Sequence, residues 1–423
     1  MMFKLIDQYD NASMFIHEKN ALKLIIWPYN LAPVVGVQVT YLAGSRHEVT
    51  GITGAAHLLE HLMFKGSKKF DSHDAMNIHK LEDKGAILNA TTWLDRTNYF
   101  EVLLKKDVDI AMQIEADRMV NAWLREEDRS SEMTVVRNEY ERGENSAFQV
   151  LYKHVWAMSY LAHPYHHTTI GWKADIENMS IEAIQDFYHR FYGPNNAVVS
   201  VVGDITVEEG LALVEKNFGH IPALAKPVPE IYTTEDPQEG ERHFVIRRKG
   251  TARWIVVSHK APSGLEEDHL ALQLLGKIIS HGQMAYLHRA LIDKGLAQDV
   301  YVDIHPMHDP GLFSTYVNLS VDTTPEHVME QVLEVYENVK KGMITAEDLA
   351  RAKTQLLAEK AFDKDGLMGL LQTINEGIAC GDWKHGLDIA ARVEKITLDD
   401  LKNVASHYLV QSQQVSGFYL PKE

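Results

Sequence analysis

Residues 57–61 read His-Leu-Leu-Glu-His. On an α-helix, positions i and i+4 lie on one face about one turn apart, so His57 and His61 can present both rings to one metal ion. Glu60 falls with them inside an arc of about 100°. A carboxylate there can take a proton from metal-activated water without being a ligand itself. The spelling is HxxEH, the reverse of the HExxH zinc helix. Imidazole ligands suit zinc, which needs no redox partner. With 22 histidines in 423 residues, a chance match is a real competitor, so a third ligand must be sought elsewhere. Residues 132–141 (EMTVVRNEYE) offer carboxylates, with Glu132 and Glu139 seven residues apart and therefore on one helix face. Without the upstream pair, a solvated acidic face would be the ordinary role of this segment.

The elements that must position these groups follow from periodicity and turn signals. Residues 22–27 and 34–42 read as strands around the turn Pro28-Tyr29-Asn30, and 54–64 as a helix. Helix-forming composition returns at 72–84, strands at 85–89 and 97–104, and helices at 108–121, 126–158 and 181–191. The apolar run 198–202, closed by Gly203-Asp204, reads as a buried strand. Residues 1–220 thus form one α+β domain, the metal-bearing one. The stretch 221–240, with Pro222, Pro227, Pro229 and Pro237, reads as a linker. In 241–423 the order repeats, with strands at 243–248 and 253–259 and a helix at 268–280. HLLEH at 57–61 overlies QLLGK at 273–277, keeping the leucine pair and losing every polar position. The expected fold class is α+β: two homologous α/β-sandwich halves, each a mainly antiparallel sheet with helices packed on it, the second half without a metal.

Composition narrows the partners. There are 42 basic and 59 acidic residues, a formal charge of −17, which repels nucleic acid over most of the surface. A single cysteine, Cys380, excludes an intrachain disulfide and a cysteine-rich metal site. No window approaches 18 apolar residues, so no membrane span is expected, and residues 1–11 lack the apolar core of a signal peptide.

Several longer stretches resemble one family. HLLEH is followed by MFKGSKKF, then by GAILNATT at 85–92, and then by VVRNEYE at 135–141, which carries Glu139. HPYHHTTIGWKADIENM at 163–179 and YGPNNAVVSVVGDI at 192–205 continue the match. The chain resembles the pitrilysin (insulinase) family of zinc peptidases, most of all its short bacterial members and the β subunit of mitochondrial processing peptidase. The resemblance implies one zinc ion per chain on His57, His61 and Glu139, with Glu60 as general base to zinc-activated water. It implies that Glu132 hydrogen-bonds a ligand histidine, and that 85–92 is an edge strand on which peptide substrate lies against Asn89, Ala90 and Thr91.

In one place the chain departs from the pattern. Where single-chain members carry an Arg and a Tyr seven residues apart, this chain has Leu291 and Gln298, with Arg289 and Tyr301 nearby but displaced. The expectation is a zinc metalloendopeptidase whose homologous partner, in a heterodimer or homodimer, supplies the Arg/Tyr pair. The competing expectation is a non-catalytic scaffold, like the core subunits of the respiratory bc1 complex, which share the fold. The compartment is left open: bacterial periplasm if a leader was trimmed ahead of Met1-Met2, otherwise cytoplasm.

Overall fold

The computed structural model describes residues 2–70 and 79–422. Of the helix-forming stretch 72–84, residues 72–78 lie outside the described residues, and His79–Asp83 is helical. Among the described residues no helix is long and apolar enough to cross a membrane.

Contacts divide the chain into two compact units. The first comprises Met1–Tyr140, His167–Tyr232 and Phe362–Ala379. It holds strands β1 (Phe3–Tyr9), β2 (Ala12–His17), β3 (Lys23–Pro28), β4 (Val34–Tyr41), β5 (Ile87–Thr92), β6 (Thr97–Leu104) and β7 (Ala197–Gly203). They form one seven-stranded sheet in the order β1-β2-β3-β7-β4-β6-β5. β7 sits mid-sheet and is buried throughout, which is why its sequence is a continuous apolar run rather than an alternation. The β5/β6 register pairs Thr92 with Thr97, Thr91 with Asn98 and Ala90 with Tyr99. Because side chains alternate, Thr92, Thr97, Ala90 and Tyr99 share one face, while Thr91 and Asn98 share the other.

The second unit comprises Glu141–His166, Thr233–Ala361 and Cys380–Glu423. Its strands β8 (Arg242–Arg248), β9 (Trp254–Lys260), β10 (Ala297–Asp303), β11 (Leu312–Leu319) and β12 (Val415–Pro421) form a sheet in the order β10-β11-β9-β12-β8. Read from the other edge, this order reproduces β3-β7-β4-β6-β5 strand for strand. The parallel pairs β3/β7 and β8/β12 correspond, and the remaining pairs are antiparallel in both. Helix Ala55–Leu62 follows β4 and helix Glu267–Ser280, which contains QLLGK, follows β9. The chain is thus two homologous α+β halves, with the β1–β2 hairpin added to the first.

Two segments lie on the other side of the 221–240 stretch from most of their unit. The continuous helix expected over 126–158 ends at Glu144, and a new one, Ala147–Ser159, starts where the Ser146 hydroxyl accepts the Gln149 N–H. That second helix belongs to the second unit, where Phe148 packs against Trp254, Tyr301 and Tyr316. Conversely, residues 362–379 belong to the first unit. Thr40 donates to Asn375 Oδ1 at 2.8 Å, Gln38 donates to the Leu371 carbonyl at 3.2 Å, and Arg96 pairs with Glu376 at 2.5 Å.

His259 on β9 gives the second core a titratable weak point. It is buried, its Nδ1 has no hydrogen-bond partner among the described residues, and burial together with the charge of Lys340 pushes its pKa down to about 3. The unfolded chain takes up this proton near pH 6.5 and the folded chain does not. Stability is therefore full above pH 6.5 and declines on acidification, by about 1.4 kcal/mol per pH unit for one such group. Urea unfolding at pH 6.5 and 5.0 is expected to show this decline in the wild type and a flatter dependence in His259→Asn. Equal slopes would show that His259 is not the group responsible.

Candidate active site

The helix Ala55–Leu62 starts without a side-chain cap of its own. Gly54 precedes it at φ +93°, where a Cβ would lie 2.7 Å from the Ile170 carbonyl oxygen, so glycine is required there. The first turn's amides go to the buried carboxylate of Glu48, which accepts from Gly54 N–H and Ala56 N–H at 2.8 Å each. Burial raises the Glu48 pKa and the two amides oppose the rise. Asp175 pins the preceding loop, accepting from the backbone N–H groups of Gly51 and Thr53 and from the Thr53 hydroxyl. Ala55, Ala56, Leu58, Leu59 and Leu62 are buried, which turns His57, Glu60 and His61 to the remaining face.

On that face three ligand-type atoms converge. His57 Nε2 and His61 Nε2 are 3.4 Å apart, and Glu139 Oε2 lies 3.6 Å from the first and 3.7 Å from the second. A tetrahedral ion at about 2.0–2.2 Å from each ligand needs ligand–ligand separations of about 3.3–3.6 Å, and the observed 3.4, 3.6 and 3.7 Å come close enough to suit a metal ion of zinc size. His61 Nδ1 sits 3.0 Å from Glu132 Oε2, whose other oxygen is paired with Lys65. An ionised Glu132 can only accept, so His61 Nδ1 carries the proton and Nε2 keeps its lone pair for the site. Burial opposes ionisation of Glu132, but the hydrogen bonds from Lys65 and His61 outweigh it and hold the pKa below the usual value. For His57, burial and then the neighbouring His61 lower the pKa to about 4, which keeps the ring in its neutral, ligating form. His57 Nδ1 is buried and has no hydrogen-bond partner among the described residues.

Glu60 is largely enclosed beside this trio. Burial raises its pKa, partly offset by a 2.5 Å hydrogen bond that its Oε2 accepts from the Thr92 hydroxyl. His57, Glu60, His61, Glu132 and Glu139 line a cavity of about 670 Å³, together with Asn89 on β5. β5 is the edge strand of its sheet. Asn89 Oδ1 accepts from the Ala90 N–H and Ala90 is buried, whereas the Thr91 hydroxyl is engaged on the opposite face by Asn98 and Arg96. Thr91, expected along the substrate strand, turns to that opposite face, and the neighbouring Thr92 is the residue that reaches Glu60. Glu48, Lys65 and Thr92 were missed, since each acts through a partner remote in sequence or across a strand pair. In the second unit, Leu291 is fully buried in the second core, and Gln298 is exposed on β10 with its Oε1 3.4 Å from Asn318 Nδ2. Tyr301 is packed among Phe148 and Tyr316, and the Arg289 guanidinium lies 4.8 Å over the Tyr286 ring.

Fold and site together define a chain of two homologous α+β halves with, among the described residues, one candidate metal centre. Residues 25–171 match the family described as "Insulinase (Peptidase family M16)", and residues 178–356 match "Peptidase M16 inactive domain". The chain is 29% identical to "Zinc protease PqqE" of Helicobacter pylori, over 95% of this chain and 91% of that one. It is 26% identical to "Mitochondrial-processing peptidase subunit beta" of Saccharomyces cerevisiae, over 92% and 86% respectively. A crystal structure of a protease from Helicobacter pylori superposes with a TM-score of 0.92 at 28% identity, covering 97% of this chain and 99% of that one. The chain belongs to the M16 (insulinase) peptidase family.

Replacing Glu48 by Ala strips two amides of their buried acceptor at the start of the histidine-bearing helix. The expected loss is about 1–3 kcal/mol, read as a Tm drop of about 2–4 °C per kcal/mol for a unit of this size. Calorimetry showing an unchanged Tm would mean that water or a shifted backbone takes over the cap.

Proposed function

We propose that this chain is a zinc metalloendopeptidase acting on peptides or small unfolded proteins, and the metal-bearing subunit of a dimer. The observation that carries the reading is the convergence of His57 Nε2, His61 Nε2 and Glu139 Oε2 beside a largely enclosed carboxylate, Glu60, which shares the helix face of the two histidines. Relatives named zinc protease and mitochondrial-processing peptidase support both the metal and the reaction.

A zinc ion held by His57, His61 and Glu139 would supply Lewis-acid chemistry, acidifying water and polarising the scissile carbonyl. Glu132 and Lys65 keep the His61 ring in one orientation and one tautomer. Glu60 accepts the proton of the attacking water and returns it to the leaving amine, and its raised pKa suits a group that must do both. The free edge of β5 lies beside the cavity and offers main-chain hydrogen bonds to an extended peptide, a mode tolerant of side-chain sequence.

Developing charge on the carbonyl oxygen also calls for a positioned donor, and losing one such donor costs about 10²–10³ in rate. At the positions of the family's Arg/Tyr pair, Leu291 has no donor and is sealed in the core, and Gln298 offers only an amide. A homologous subunit with the pair intact completes the site in this reading.

Purified chain is expected to hold close to one zinc ion. Glu60→Gln should keep the metal and lose about 10²–10⁴ in peptide turnover. Absence of stoichiometric zinc would instead favour a non-catalytic scaffold of the same fold, and full turnover by Glu60→Gln would remove that residue from the mechanism. Mixing with a homologous subunit bearing the Arg/Tyr pair should raise cleavage of a short peptide well above either chain alone. An isolated chain as fast as the mixture would refute the donated pair.

A further inference from the structure

The hydroxyl of Thr92 belongs to none of the roles above, yet it makes the shortest contact to Glu60, with Oγ1 2.5 Å from Oε2. An ionised carboxylate can only accept, so Thr92 is the donor in this contact. The neighbouring Thr97 Oγ1 gives its own proton to the Ala43 carbonyl at 2.9 Å, and its oxygen, uncharged and 3.4 Å from Thr92 Oγ1, is the weaker and more distant acceptor.

The support behind this pair is rigid. Thr92 and Thr97 are register partners on β5 and β6, and Thr97 is fully buried. On the same face Tyr99 meets Tyr192, hydroxyl to hydroxyl, at 3.2 Å, and Tyr192 stacks on Tyr41 at 4.0 Å between ring centroids. The Arg118 guanidinium lies 4.3 Å over the Tyr99 ring and is itself held by the buried carboxylates of Glu115 and Glu101. A hydroxyl carried on the edge strand but backed by this packing is a fixed point, whereas a glutamate side chain on a helix has three rotatable bonds to restrain.

We propose that Thr92 is a positioning residue for the general base: its hydroxyl holds Glu60 Oε2, fixing the carboxylate in one rotamer and leaving Oε1 to accept the proton. The inference rests on the assignment of Glu60 as base. No proton is transferred from Thr92, and its side chain serves Glu60 alone, whatever its backbone offers a peptide along β5. Removing the hydroxyl should therefore leave metal content and KM unchanged and lower kcat.

The test compares the full chain with Thr92→Val, which keeps the shape and removes the donor, and with Thr92→Ser, which keeps the donor. Wild type and variants are assayed on a short quenched-fluorescence peptide in the presence of the homologous partner subunit. The Val variant is expected to lose about 10- to 100-fold in kcat at constant KM and zinc content, the scale of a hydrogen bond to a charged group. The Ser variant should recover most of that loss. In a Glu60→Gln background the Val substitution should add little, because the group it positions is gone. A crystal structure of Thr92→Val should show the Glu60 carboxylate spread over several rotamers, a readout independent of turnover. A single unchanged rotamer, or wild-type kcat in Thr92→Val beside an inactive Glu60→Gln, overturns this inference alone. Full activity of Glu60→Gln overturns the functional reading beneath it.

Discussion

Bringing two imidazole nitrogens and a carboxylate oxygen to within 3.4–3.7 Å of one another is the constraint around which the first unit is arranged. The helix between Ala55 and Leu62 has only two turns, too few to be stable alone, so its geometry must come from tertiary contacts. Its start is fixed by the Glu48 carboxylate and the left-handed Gly54, and its apolar side by the core beneath the sheet. The third member of the trio comes from a separate helix, Glu126–Glu144, whose buried residues are Glu132, Met133 and Val136. That helix presents Glu139 to the trio and, one heptad earlier, Glu132 to the back of His61. Two turns of one helix thus supply both the third ligand-type atom and the group that orients a histidine.

The spacing of His57, Glu60 and His61 and the seven-residue step between Glu132 and Glu139 were legible because local helical periodicity alone puts each set on one face. The duplicated strand order was legible in outline from the match of HLLEH to QLLGK, and the shared connectivity of the two sheets supplies what two matched leucines could not. Contacts set by strand pairing were not legible. Which face of β5 turns to Glu60 depends on a register one residue long, and that register selects Thr92 over Thr91. The contributions of Glu48 and of residues 362–379 were also hidden, since a buried carboxylate cap and a helix contributed from the far half of the chain leave no local pattern.

The second unit shows the same packing with different polar side chains. The helix that corresponds to HLLEH keeps its leucines, Leu274 and Leu275, fully buried, while Gln273 and Lys277 stand where the histidines are. Packing constrains the apolar positions in both halves and leaves the polar positions free to differ. Leu291 is likewise a packing residue, buried among the second core's side chains.

Whether His57, His61 and Glu139 act together as a metal centre is addressed directly by anomalous diffraction from zinc-loaded crystals of the full chain. The expected result is one strong peak at the zinc edge, at about 2.0–2.2 Å from His57 Nε2, His61 Nε2 and a Glu139 carboxylate oxygen, with Glu60 outside bonding distance. A peak at any other set of side chains, or none at these three at saturating zinc, would contradict it.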